Sequence, residues 1–277
     1  MDPQISIMGL KMLTFNSYKL FMAISAAAAM AICYMALIKE KLTVKQAVAL
    51  TLTIGAGFFL GARLLHYMLN RELYIEKAFK ITDISATNFA LYGGILGSAL
   101  LGGLAVIIMR LRLLKIADIL VPAICVGIGT MKIGCLFNGC CYGKETELPW
   151  GIRFPMGSPA YSYHFKDKAA NFTILNIPLE SHAVHPTQIY ELLAAAAIML
   201  LAVYLNKKSL KDGIVFIACS LAFTIFRTIN HGLREFNSAQ ANYLMWQPRL
   251  YLVIMAILSG MLLWIFFSDG IGTKKRA

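Results

Sequence analysis

Seven stretches of the chain, approximately 17–38, 47–69, 88–109, 116–136, 186–205, 213–230 and 248–268, are apolar over the length a helix needs to cross a bilayer. Hydrocarbon offers the backbone no hydrogen-bond partner, so each such stretch must satisfy its own N–H and C=O groups by coiling. The pattern predicts an all-α polytopic membrane protein with seven transmembrane helices. Residues 1–277 then form a single transmembrane domain, since no linker divides the bundle. Composition points the same way: 58% of residues are hydrophobic and 14% charged, against about 25% charged in an ordinary soluble domain. The N-terminus has no basic stretch followed by a short apolar core and a small-residue cleavage site, so the first span is expected to stay in place.

The net charge of +12 would suggest nucleic acid in a soluble protein, and its distribution argues against that. The connections 39–46, 110–115 and 206–212 and the tail 270–277 carry Lys39, Lys41, Lys45, Arg110, Arg112, Lys115, Lys207, Lys208, Lys211, Lys274, Lys275 and Arg276, opposed by Glu40 and Asp212 alone. The alternate connections are balanced. In 70–87, Arg71, Lys77 and Lys80 meet Glu72, Glu76 and Asp83; in 137–185, Lys144, Arg153, Lys166 and Lys168 meet Glu145, Glu147, Asp167 and Glu180. The positive-inside bias puts the basic set in the cytoplasm. The N-terminus is then outside, the C-terminus cytoplasmic, and 137–185 a small external head loop; no nucleic-acid partner is expected.

With this topology every polar residue in a span acquires a depth, and the pattern is one-sided. Tyr18 and Lys19 open the first span, Arg63 and His66 close the second, and Asn88 and Tyr92 open the third. Lys132, Cys135, Asn138, Cys140 and Cys141 lie at the outer end of the fourth. "HPTQIYE", residues 185–191, opens the fifth; Arg227, Asn230, His231 and Arg234 close the sixth; Gln247 and Arg249 open the seventh. Buried charge in a membrane usually faces a bundle interior or a wet cavity. Arg63, Lys132, Arg227, Arg234 and Arg249 together predict a cationic cavity near the outer leaflet. Such a cavity invites an anion, and a phospholipid head group suits guanidinium forks. Snorkelling of the individual side chains is the plainer alternative.

Within "HPTQIYE", Pro186 fits the first helical turn and His185 the boundary before it. Gln188 and Glu191, three apart, share a face on which Glu191 is placed to hold an arginine from another span. His185 suits a general base, or a simple cap at the membrane surface. The stretch "MKIGCLFNGCCYG", residues 131–143, leaves four readings open for Cys135, Cys140 and Cys141: a zinc site completed by His182 and His185, a disulfide, a reactive thiol beside Lys132, or small packing residues in a glycine-rich turn. Cys33, Cys125 and Cys219 lie inside spans and read as core. The glycines of "GAGFFLGAR" and "YGGILGSALLGG" recur at the spacing that lets membrane helices approach closely.

Taken in order, "GxRLxxY" at 61–67, "YGGILG", Asp118-x3-Pro122, "KIGCLFNGCCYG", "HPTQIYE", "RxxxHxxR" from Arg227 and "WQPRLY" resemble the prolipoprotein diacylglyceryl transferase family over roughly residues 15 to 260. The resemblance implies a seven-span bacterial inner-membrane enzyme with its site facing outward. Such an enzyme moves the diacylglyceryl group of phosphatidylglycerol to a prolipoprotein cysteine and releases glycerol phosphate. It implies no metal and no other cofactor. Tyr18, Asn138, Gly143, His185, Gln188, Tyr190, Glu191, Arg227, Arg234 and Gln247 stand where the family pattern expects them. The family's histidine before the paired glycines is Tyr92 here, its Gly-Arg pair Met131-Lys132, its next asparagine Cys135, and its glutamate after the second glycine Cys140. Near the end of span 6 its tyrosine is Phe223 and its glutamate His231.

On this reading Tyr92, Lys132, Arg227, His231, Cys140 and Cys141 are the candidate catalytic residues. Tyr18, Arg63, Cys135, Asn138, His185, Gln188, Tyr190, Glu191, Arg234, Gln247 and Arg249 are the candidates for binding substrate. Cys140 or Cys141 could also carry the transferred group first, giving a two-step route. The runner-up readings are transfer of a phospholipid-derived group to another acceptor, and a lipid-binding or transport protein on the same scaffold.

Overall fold

The computed structural model describes residues 4–6, 14–75, 89–165, 178–208, 210–236 and 247–267. Seven of its helices are long and apolar enough to cross a membrane. They are α1 (Ser17–Lys39), α2 (Val44–Leu69), α4 (Leu91–Ile108), α5 (Leu113–Asn138), α7 (Thr187–Asn206), α8 (Ile214–Leu233) and α9 (Gln247–Phe267). Two short helices, α3 (Arg71–Ile75) and α6 (Pro159–Phe165), lie in the connections. A small antiparallel pair, β1 (Gln4–Ser6) and β2 (Thr14–Asn16), precedes α1 with Gln4 opposite Asn16. Strands of three residues are too short to carry a periodicity, and none was expected here. Of the residues on which the sequence reading drew, Glu76, Lys77, Lys80, Asp83, Asn88, Lys166, Asp167, Lys168, Lys274, Lys275 and Arg276 lie outside the described residues.

Helix ends move from the apolar boundaries where local chemistry dictates. α2 starts at Val44, three residues before its apolar run. Thr43 Oγ1 accepts from Gln46 N–H and the Gln46 side chain accepts from Thr43 N–H, forming a capping box. α5 continues to Asn138 and stops because Gly139 turns left-handed, with φ 67°. Cys140 N–H then reaches Cys135 C=O at 3.1 Å and Gly139 N–H reaches Leu136 C=O at 3.1 Å, the paired bonds of a Schellman stop.

The chain forms two compact units, Met1–Ser25 with Cys125–Ala277, and Ala26–Ile124. In the second, Cys33, Leu37, Ala47, Leu50, Val106, Ile116 and Ala123 make the core. α2 and α4 meet through glycines: a Cβ added at Gly57 would stand 2.5 Å from the Gly97 carbonyl oxygen, and one at Gly61 would stand 2.8 Å from Gly97 Cα. Ser98 Oγ donates across this contact to Ile54 C=O at 3.1 Å. Lys115 pairs with Glu40, one of the two acids in the basic connections, which brings the C-terminal end of α1 to the start of α5.

In the first unit α8 packs against both α7 and α9, with Ile214, Ile217 and Ile265 buried together. The head segment has its own core of Phe154, Ala160 and Val184. Isolated bridges Glu145–Val184, Ile152–Val184 and Pro155–Glu180 close it on itself, and Gly143–Arg234 ties it to the end of α8. Cys33, Cys125 and Cys219 are buried, as their positions within spans predicted. Large apolar side chains such as Leu100, Ile108, Leu200 and Trp264 are exposed, the arrangement lipid-facing surfaces need.

Candidate functional site

At one end of the first unit a single carboxylate gathers the charges of two other helices. Glu191, in the second turn of α7, is 3% exposed. Its Oε2 pairs with Lys132 Nζ of α5 at 2.8 Å, and its Oε1 accepts from Arg227 Nη1 of α8 and from Asn230 Nδ2 at 3.1 Å. Arg227 Nε donates to Tyr251 Oη of α9 at 3.3 Å, and Tyr251 Oη donates to Gln247 Oε1 at 3.2 Å. Four helices thus meet in one polar network. A buried ion pair repays its desolvation only when its remaining donors and acceptors are also used, and Asn230 and Tyr251 do this here. An ammonium carries three donors, so Lys132 keeps capacity for a second anion beyond Glu191.

Beside this network the turn after α5 brings three sulfurs together. The Sγ atoms of Cys135, Cys140 and Cys141 all lie within 4.8 Å of one another. The turn is held from α7: Gln188 Nε2 donates to Cys140 C=O at 2.8 Å and Thr187 Oγ1 to Cys141 C=O at 2.6 Å. Cys141 itself is left-handed, with φ 59°, a conformation that L residues other than asparagine and aspartate seldom adopt. Its thiol is held below the ordinary range by hydrogen bonds from Cys135 and Cys140 and by the nearby Lys132 and Arg234 cations. Tyr18, on α1, lies within electrostatic reach of all three thiols. None of the six cysteines is in a disulfide. His182 packs edge-on to His164 in the head at 5.2 Å, and neither His182 nor His185 joins the sulfurs.

His185 differs from the sequence reading in register. Its carbonyl accepts from Thr187 N–H at 2.8 Å and from Gly143 N–H at 2.9 Å, so Pro186 is the N-cap residue and α7 begins one residue later than predicted. Its ring supplies no cap; Nδ1 lies 3.3 Å from Tyr190 Oη, which also accepts from Trp150 Nε1 at 2.8 Å. A Cβ at Gly143 would stand 2.5 Å from His185 Cβ, so this close backbone pairing requires glycine. His231 packs edge-on to Tyr251 at 6.0 Å.

Among the described residues, three buried polar atoms have no hydrogen-bond partner: Gln188 Oε1, Asn230 Oδ1 and Arg234 Nε. Buried polar atoms of this kind normally find a partner in protein or ordered water. Lys132 and Arg227 both pair with Glu191, and the Arg234 cation lies near Cys141.

Of the predicted residues, Tyr18, Lys132, Cys135, Asn138, Cys140, Cys141, His185, Gln188, Tyr190, Glu191, Arg227, His231, Arg234, Gln247 and Arg249 belong to the first unit. The Arg249 side chain is exposed. Arg63 and Tyr92 belong to the second unit. Arg63 is buried with its guanidinium 5.8 Å from the Tyr74 ring centre and 5.5 Å from that of Phe89, and Tyr92 is 40% exposed. Thr187, Asn230, Tyr251 and Trp150 were not among the predicted residues. Tyr251 lies four after Gln247, hence on the same helical face, and that spacing was available; nothing in the sequence pointed to Trp150.

A family model described as prolipoprotein diacylglyceryl transferase matches residues 6–266. The chain is similar to the phosphatidylglycerol–prolipoprotein diacylglyceryl transferase of Clostridium tetani, 31% identical over 178 residues, 64% of each chain. It is 27% identical to that of Geobacter sulfurreducens over 185 residues, 66% of this chain and 63% of the relative. It is also 27% identical to transferase 2 of Clostridium perfringens over 216 residues, 78% of this chain and 76% of the relative. The chain thus spans just under two thirds of the length of the first two curated relatives.

Proposed function

Because the chain belongs to the prolipoprotein diacylglyceryl transferase family, we propose that it transfers the diacylglyceryl group of phosphatidylglycerol to a thiol acceptor, a prolipoprotein cysteine. The observation that carries this reading is the Glu191 network, in which Lys132 and Arg227 share one buried carboxylate beside three thiols, with the Arg234 cation near Cys141. A phospholipid brings the anion such a network lacks. Its phosphate would accept from Arg234 Nε and from Lys132, and these donors strengthen as charge develops on the departing phosphate oxygen. The acceptor sulfur attacks the glycerol carbon bonded to that oxygen, and glycerol phosphate leaves.

The basic connections support a cytoplasmic placement for the opposite ends of the spans, so the site opens to the outer leaflet of a bacterial inner membrane. Residues 137–185 then form an external head through which the peptide approaches, and residues 1–277 act as a single domain. Tyr18, Gln188, Tyr190 and Gln247 shape the binding site, with His185 and His231 as the available imidazoles.

The test is direct. Purified protein is incubated with labelled phosphatidylglycerol and a lipobox peptide, and both products are followed. Glycerol phosphate must appear as the peptide gains the diacylglyceryl mass. Release without peptide modification would mean another acceptor, and absence of both would mean a lipid-binding protein. Arg227→Ala is expected to reduce turnover to background; undiminished turnover would mean that the phosphate is held elsewhere.

A further inference from the structure

The three sulfurs at the end of α5 form a group with the chemistry of a metal site. Their mutual separations do not exceed 4.8 Å. A tetrahedral zinc ion with zinc–sulfur bonds of about 2.3 Å keeps its thiolates about 3.8 Å apart, so closing on an ion requires movement of less than about 1 Å.

Independent contacts fix the backbone that presents them. The Schellman bond from Cys140 N–H to Cys135 C=O sets the spacing of those two residues. Thr187 and Gln188 hold the next two carbonyls, and Cys141 is kept left-handed so that its side chain folds back to the others. Strained backbone of this kind persists only where its surroundings over-determine it, and it gathers at functional sites.

The donor set is three thiols and, among the described residues, no fourth protein ligand. Structural zinc sites are closed by four protein ligands, whereas catalytic ones use three and leave a position for water or substrate. Charge agrees as well. Zinc with three thiolates carries one negative charge, and a fourth thiolate makes it two. Lys132 and Arg234 lie close enough to Cys141 to offset part of that charge.

We propose that Cys135, Cys140 and Cys141 hold a zinc ion whose open fourth position takes the acceptor thiol and delivers it as a thiolate. This rests on the transferase reading above and states how the acceptor is activated. As the acceptor sulfur joins the metal its proton leaves to solvent, because a thiol bound to zinc is deprotonated. The bound sulfur then attacks the glycerol carbon. A carbon–sulfur bond forms while the carbon–oxygen bond to phosphate breaks, and the electron pair departs on the phosphate oxygen as glycerol phosphate. The product is a neutral thioether, a weaker ligand than a thiolate, so it leaves the metal and reopens the position.

The experiment uses the full chain, reduced and purified in detergent. Zinc content is measured first, and the chelator-stripped protein is then titrated with Co²⁺, whose thiolate charge-transfer absorption reports sulfur ligation. About one ion per chain is expected, with an absorption that shifts when lipobox peptide is added and does not shift with the Cys→Ser peptide. Cys141→Ser and Cys140→Ser should each weaken binding by about 100-fold, circular dichroism confirming that the variants fold. A folded, reduced protein that binds no ion, or one whose absorption ignores the peptide thiol, overturns the proposal.

The activity arm separates this inference from the transferase reading. Stripping should slow transfer about 100-fold, and added Zn²⁺ should restore it. Unchanged transfer in the stripped enzyme sinks the metal proposal and leaves the transferase reading intact. A peptide-sensitive metal site without any product from phosphatidylglycerol would do the reverse.

Discussion

Glu191 is the residue on which the charge balance of the site turns. It is buried, and its two oxygens hold cations from α5 and α8. Removing one member of a buried ion network leaves the others uncompensated, which costs about 3–5 kcal/mol. Glu191→Gln is therefore expected to lower stability by that order, read as a drop in thermal unfolding temperature in detergent. Adding Lys132→Met should recover part of the loss by removing one stranded cation. If Glu191→Gln unfolds at the wild-type temperature, the carboxylate is not what gathers the network. The partners of Glu191 also show what a sequence can and cannot supply. Gln188 and Glu191 share a helical face by spacing alone, and an arginine partner was foreseeable. That the arginine is Arg227 and that Lys132 takes the other oxygen depends on the packing of three helices far apart in the chain.

Between helices, small residues decide how closely backbones approach. Gly57 and Gly61 on α2 meet Gly93 and Gly97 on α4 with no room for a side chain. Overpacking such a contact costs about 1–3 kcal/mol even for a modest side chain. Gly57→Leu should push α2 from α4, and a crosslink engineered across the Ser98–Ile54 contact should then form less efficiently than in the wild type. Equal crosslinking would mean that the helices do not meet there. The glycine spacing was readable in the sequence, as was the capping box at Thr43. The Schellman stop after Asn138 was only half readable: Gly139 marks the turn, yet nothing local indicates that the next two carbonyls are held by Thr187 and Gln188 of α7, 46 and 48 residues away.

For the molecule as a whole, the alternation of basic and balanced connections predicts sidedness. A lone cysteine at Lys208 should be labelled by a membrane-impermeant thiol reagent only after the membrane is opened, and one at Glu147 in intact cells, both in a background whose native cysteines are replaced by serine. The opposite pattern would invert the site to the cytoplasmic leaflet. Sequence alone determined the seven spans, since apolar length is a property of each segment and hydrocarbon allows it only one conformation. It also gathered the polar residues of the spans at one set of span ends, because buried charge is too costly to be placed without purpose. Tertiary structure decided which charges pair, that Arg249 is exposed, and that three cysteines bring their sulfurs together while the histidines turn elsewhere. The reason is physical: hydropathy and helical period are carried by neighbours in sequence, whereas pairing and ligation depend on distances that exist only once separate helices have packed.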